Sequence, residues 1–166
     1  KNIRFFVSST FKDMDVERDA LHFIIEPKLN EFLSQYYCSV EFVDLRHSVK
    51  TDAQNELMER EKQICTVCLN EIDRCSPYFI GFLGHRYGWI PPKGVMDQIE
   101  SVSYPLSIDF DHLSVTAHEF AYGFSKNNTK GLVFLRDEGS YRHLSDDVLA
   151  DYLDDGNRKL LLEKFR

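Results

Sequence analysis

Four short apolar runs, each followed by a longer stretch of helical periodicity, constrain this chain more than any other feature. They are Ile3 to Val7, the alternating segment Val40 to Arg46, Tyr78 to Gly84, and Gly131 to Arg136. Each is rich in β-formers and stops on small or charged residues, as strands do. Strand and helix patterns in strict alternation imply a parallel sheet with helices on both faces. The expected class is therefore α/β, a flavodoxin-like open parallel sheet of four to five strands. Tyr78-Phe79-Ile80-Gly81-Phe82-Leu83-Gly84 is the strongest central-strand signal, an apolar run with glycines where a neighbouring backbone can come close.

The first run leads straight into Ser8, Ser9 and Thr10, and Thr10 with Asp13 has the spacing of a capping box. Asp13, Asp15 and Glu17 suit the positive end of a helix, which is expected to start near Phe11 or Lys12. In open α/β sheets ligands bind beyond the carboxyl ends of the strands, so Ser8, Ser9, Thr10 and Phe11 would face that crevice. Two readings stand side by side. These residues cap a helix, or they form a ligand loop.

From Val16 to Leu33, Ala20, Leu21, Ile24, Ile25, Leu29, Phe32 and Leu33 recur at helical spacing, a pattern that predicts one buried face. Pro27 should kink or restart that helix. A second long helix is expected over Thr51 to Arg74, with Leu57, Ile64, Cys68, Ile72 and Cys75 along one stripe. Ile90 to Leu113 shows no clean periodicity and contains Pro91, Pro92, Gly94 and Pro105. Helical spacing resumes over Ser114 to Phe124, and the tail carries two short helical patterns, Asp146 to Leu153 and Asn157 to Phe165.

At 166 residues the chain is one domain by length. A net charge of −7 and a pI near 5.3 oppose broad binding to nucleic acid, which needs clustered Lys and Arg. No apolar run approaches the roughly twenty residues of a membrane helix. Cys65 and Cys68 form one Cys-x-x-Cys, but Cys38 and Cys75 supply no second pair at zinc spacing, and reduced cytoplasmic thiols are expected. The first residue is Lys1, so a longer parent protein is anticipated.

Taken in order, Phe6-Val7-Ser8-Ser9-Thr10-Phe11-Lys12-Asp13-Met14, Glu17-Arg18-Asp19, Val43-Asp44-Leu45-Arg46, the segment from Cys68 to Gly81, and Gly84-His85-Arg86-Tyr87-Gly88-Trp89 resemble one family closely. It is DUF4062, a domain of unknown function, and the resemblance covers nearly the whole chain. Such domains sit at the amino end of long proteins that carry NACHT-type or related STAND NTPase modules. The resemblance thus implies residues 1–166 as a single domain with an NTPase domain downstream in the same chain. The family is in turn similar to TIR domains, signalling modules that self-associate and in some cases cleave the nicotinamide-ribose bond of NAD.

On that likeness Ser114 to Ala121 corresponds to the TIR helix bearing the catalytic Glu, which implies Glu119. The usual Trp-Cys pair before that Glu is replaced by Thr116-Ala117-His118, and the Ile90 to Leu113 insertion precedes it. Cleavage passes through an oxocarbenium-like transition state that a carboxylate stabilises, while an aromatic face holds nicotinamide. Phe11 or Trp89 could hold the ring, Ser8 and Ser9 the ribose, and Arg46, Arg86 or Arg136 the pyrophosphate. No cofactor or metal is expected. Against this stands a plain structural reading, in which Thr116 is an N-cap and Glu119 closes a capping box, ionised near a helix start. His118 is then a surface residue of the first turn, and Asp44 with Arg46 a strand-end ion pair. The competing class is a non-catalytic protein-protein interaction module.

Overall fold

A computed structural model describes residues 1–45, 57–95 and 113–165. Arg46, residues 51–56 of the expected second long helix, and 96–112 of the aperiodic segment lie outside the described residues. The strands are β1 (Asn2–Ser8), β2 (Ser39–Val43), β3 (Tyr78–Leu83) and β4 (Lys130–Leu135). They form a four-stranded, all-parallel open sheet in the order β2-β1-β3-β4. The α/β class read from the sequence is the observed one, with four strands among the described residues.

Alternation along β1 builds two cores. Phe6 joins Cys65, Leu69, Ile72, Phe79 and Phe120 on one face, and Val7 joins Met14, Leu21, Phe42, Ile80 and Phe82 on the other. The first face is covered by α3 (Leu57–Cys75) and α4 (Val115–Phe124). The second is covered by a segment of three parts, α1 (Asp15–Ala20), a π-helical turn (Leu21–Ile25) and α2 (Glu26–Ser34). Gly81 lets α4 seat closely on the sheet, since a Cβ there would lie 2.2 Å from Cζ of Phe120.

Two expectations for the first helix are corrected. It starts at Asp15, not near Phe11, because the Thr10 hydroxyl donates to the Asp13 carboxylate instead of capping a backbone N–H. The turn between them buries Met14 at 1 % exposure. The expected single buried face is also broken: Leu21 is buried, but Ile24, Ile25, Leu29 and Phe32 are exposed. Pro27 is the physical cause. It has no N–H for the carbonyl four residues back, and the turn before it widens so that Glu26 N–H bonds Leu21 O, which rotates the apolar stripe out of phase.

Beyond β4 lie a 3₁₀ turn (Glu138–Tyr141), α5 (Asp146–Leu149) and α6 (Gly156–Phe165). The tail folds back onto the end of β3. Leu153 bridges His85, and Asp154 N–H donates to His85 O at 3.0 Å. Leu162 of α6 is buried against Tyr87 and Ala117, which brings the last helix beside the amino end of α4.

Candidate functional site

The carboxyl ends of β1 and β3 open into a cleft of about 460 Å³. Its walls include Ser9, Thr10 and Phe11 from the loop after β1, Arg86 and Trp89 from the loop after β3, Cys68 from α3 and Glu119 from α4. Ser8 is the last residue of β1, paired in register with Gly81, and is wholly buried beneath the cleft floor. Its hydroxyl donates to Glu119 Oε2 at 2.5 Å, joining residues 111 positions apart.

This contact overturns the capping-box reading. Ser114, not Thr116, is the N-cap of α4, with extended backbone and a hydroxyl that accepts from Ala117 N–H at 3.2 Å. Glu119 therefore sits two positions beyond box spacing and turns inward to Ser8. It is also buried, so the expectation of an ordinary ionised carboxylate fails: burial pushes its pKa up, against hydrogen bonds from Ser8 and Cys68 and the field of Arg18. His118 is corrected likewise. It is 2 % exposed, and burial pushes its pKa down to about 4.

A buried ion pair holds the loop after β1. The Arg18 guanidinium, 1 % exposed, bonds the Asp44 carboxylate, donates from Nε to Ser9 Oγ at 2.7 Å and from Nη2 to Ser9 O at 3.0 Å, and lies 4.9 Å from the Phe11 ring centroid. Asp44 is thus engaged by Arg18, and the expected partner Arg46 lies outside the described residues. Ser9 and Phe11 are fixed by this latch, with Phe11 half exposed toward the cleft.

Of the residues singled out from sequence, Ser9, Phe11, Arg86, Trp89 and Glu119 line one cleft, with Ser8 directly behind Glu119. Arg86 enters it with its guanidinium held by the carbonyls of Ala150 and Asp151 and by Asp154 at 3.8 Å. Arg136 is not among the cleft residues; it pairs with Glu17 and stacks against Tyr152. Sequence reasoning passed over Arg18, Cys68 and Arg158, the last reaching the cleft from α6. A signal existed for Arg18, a cation amid Asp15, Glu17 and Asp19 at the helix end that disfavours one. Cys68 was visible only as a stripe residue. Burial pushes the Cys65 thiol up to about 12 and the Cys75 thiol to about 11, and raises Cys68 well above its ordinary value. No group of three or more metal-ligating side chains converges among the described residues. Nor is any described helix long and apolar enough to cross a membrane.

Fold and cleft together define an open parallel α/β domain with a carboxylate-bearing crevice at the carboxyl edge of its sheet. The chain belongs to the DUF4062 family, a domain of unknown function, which it matches over residues 4–165. It is 37 % identical over 135 residues to telomerase protein component 1 of Mus musculus, covering 81 % of this chain and 4 % of that protein. It is 27 % identical over 180 residues to a TPR repeat-containing protein of Dictyostelium discoideum, covering 100 % of this chain and 10 % of that one. NACHT and WD repeat domain-containing protein 2 of Homo sapiens is 31 % identical over 113 residues, 66 % of this chain and 6 % of that protein. The chain thus spans a tenth or less of the length of these relatives. No solved structure matches the chain.

Proposed function

We propose that this chain is a TIR-like effector or signalling domain at the amino end of a larger NACHT- or STAND-type protein, cytoplasmic, and active as a self-associated NAD glycohydrolase. One observation carries the reading: a buried carboxylate, Glu119, held by Ser8 at the floor of a cleft at the strand ends. In this reaction the bond between ribose C1′ and the nicotinamide nitrogen breaks and both electrons leave with nicotinamide. Water then adds to C1′ and releases a proton. Ionised Glu119 stabilises the positive charge that develops on the ribose, and the low-dielectric site strengthens that effect. Burial raises the Glu119 pKa, and the hydrogen bonds from Ser8 and Cys68 with the field of Arg18 act against it in favour of the ionised form that the reaction uses. Trp89 and Phe11, both partly exposed at the rim, offer faces for the nicotinamide, and Arg86 and Arg158 supply charge for the pyrophosphate.

The test is NAD consumption, followed by chromatographic release of nicotinamide, by the chain alone and clustered on a multivalent scaffold, beside Glu119→Gln. Turnover that appears on clustering and is lost in the variant supports the reading. Absence of turnover in every clustered form, with unchanged circular dichroism, refutes it. A second reading, a non-catalytic interaction module, draws on the exposed apolar surface of β4 and of the first helical segment. The same negative result would favour it.

A further inference from the structure

The amino end of α4 opens onto the cleft, because helices between parallel strands run back against them and start where the strands end. The backbone donors of its first turn can be followed one by one. Val115 N–H donates to Trp89 O at 2.9 Å, Ala117 N–H to the Ser114 hydroxyl at 3.2 Å, and His118 N–H to Ser114 O at 2.9 Å. Thr116 is left over. Neither its N–H nor its hydroxyl bonds any of the described residues, although the residue is only 7 % exposed and lines the cleft. Two unengaged donors at the positive end of a ten-residue helix, facing a cavity, are the elements of an anion site.

The surroundings agree in shape and sign. Gly88 lines the same wall at φ +93°, and a Cβ there would lie 3.6 Å from Thr116 Oγ1, so the absent side chain keeps that space open. Of the cations in the lining, Lys12 and Arg86 are engaged by Asp151 and Asp154, whereas Arg158 is exposed and pairs with no carboxylate among the described residues. Glu119, the opposing charge, lies three residues further along α4 and is bonded to Ser8, a rise of about 4.5 Å. An anion at Thr116 with a carboxylate one turn deeper leaves room between them for a neutral sugar.

We propose that Thr116 binds a phosphate oxygen through its N–H and hydroxyl, with Arg158 as counter-charge, and that the cleft takes a ribose bearing a 5′-phosphate or diphosphate whose sugar extends toward Glu119. This deepens the proposed function and rests on its reading of the cleft as a ligand site, adding where the phosphate sits.

The experiment is an amide NMR titration of the 166-residue chain with ADP-ribose, with ribose and inorganic phosphate as separate arms, beside Thr116→Val, Thr116→Ser and Arg158→Gln. ADP-ribose should move the Thr116 amide downfield, as should inorganic phosphate at higher concentration, while ribose alone leaves it in place. The dissociation constant for ADP-ribose should rise about tenfold in Thr116→Val and in Arg158→Gln, and Thr116→Ser should stay near wild type. Thr116→Val should fold, since the hydroxyl has no partner in the chain to lose; if it does not, Arg158→Gln and the wild-type amide shift still decide. A Thr116 amide unmoved by ADP-ribose overturns the proposal, as does an affinity indifferent to both substitutions. Binding through Thr116 without NAD turnover keeps this subsite and removes the glycohydrolase reading, whereas NAD turnover and ADP-ribose affinity both indifferent to Thr116→Val and Arg158→Gln do the reverse.

Discussion

His118 couples the stability of α4, and with it the placement of Glu119, to pH. In the native state its imidazole is buried and its pKa falls from the ordinary 6.5 to about 4. Between those values the unfolded chain binds a proton that the folded chain does not. Stability is therefore fully present above the unfolded pKa and is lost as pH falls through the window toward the native one. The loss amounts to about 2 kcal/mol at about pH 5 and approaches ~3 kcal/mol near pH 4. Glu119 and Asp13 act in the opposite sense, since burial raises both carboxyl pKa values and folding then favours their protonated forms. The wild-type slope alone is consequently ambiguous, and the comparison with His118→Gln isolates the imidazole. Chemical denaturation at a series of pH values should give curves for the two proteins that converge in relative terms as pH falls. The variant should lose about 2 kcal/mol less than wild type between neutrality and about pH 5. Parallel curves would refute the argument, because they would mean that His118 titrates alike in the folded and unfolded chains.

Gly81→Ala should destabilise by about 1–3 kcal/mol in thermal or denaturant melts, because the new Cβ would fall 2.2 Å from Phe120 Cζ and must displace α4. An unchanged melting midpoint would show that α4 can slide without cost. Arg18→Met leaves the Asp44 carboxylate, 6 % exposed at its side chain, without its guanidinium, and a loss of about 3–5 kcal/mol is expected in denaturant. Arg18→Met together with Asp44→Leu should recover much of that loss; no recovery would argue that Arg18 matters through Ser9 alone. Alkylation of the native chain by iodoacetamide near pH 8 should label Cys38 first, since Cys65, Cys68 and Cys75 are buried with raised thiol pKa values. Rapid labelling of Cys68 in mass spectrometry would contradict the burial of the cleft floor.

The strands were legible because a buried parallel strand leaves a continuous apolar run bounded by abrupt polarity, and Tyr78 to Leu83 is such a run. Helix ends were less so. Thr10 and Asp13 have cap spacing, but capping needs the hydroxyl to accept a backbone N–H, and here it donates to a side chain. Thr116 and Glu119 show the same limit, for Ser114 takes the cap two residues earlier and frees Glu119 for a partner 111 positions away. Local spacing cannot anticipate a bond of that separation. The apolar stripe of the first helix misled for another reason, since periodicity assumes a uniform turn and the π-helical turn before Pro27 resets the phase. The burial of His118 left no mark in the sequence, because local spacing places residue 118 in the first turns of a helix and carries no information on which face of that helix is covered.

The candidate cleft is best understood as three separately built supports converging on one carboxylate. Gly81 in β3 lowers α4 onto the sheet, and the Ser114 cap sets the rotation of that helix, so Glu119 points down to the end of β1. The Arg18–Asp44 pair pins Ser9 and Phe11 beside it, and the tail helices hold Arg86 and bring Arg158 to the rim. A carboxylate kept at the bottom of a cleft costs stability, since desolvation opposes its charge and only Ser8, Cys68 and the field of Arg18 offset that. Packing alone would be served as well by a neutral side chain. Glu119→Gln should therefore fold with stability equal to or above wild type near neutral pH, measured by denaturant titration. Such a result would set the cost of the carboxylate against function, and a variant less stable than wild type by about 2 kcal/mol or more would instead make Glu119 a structural anchor for α4.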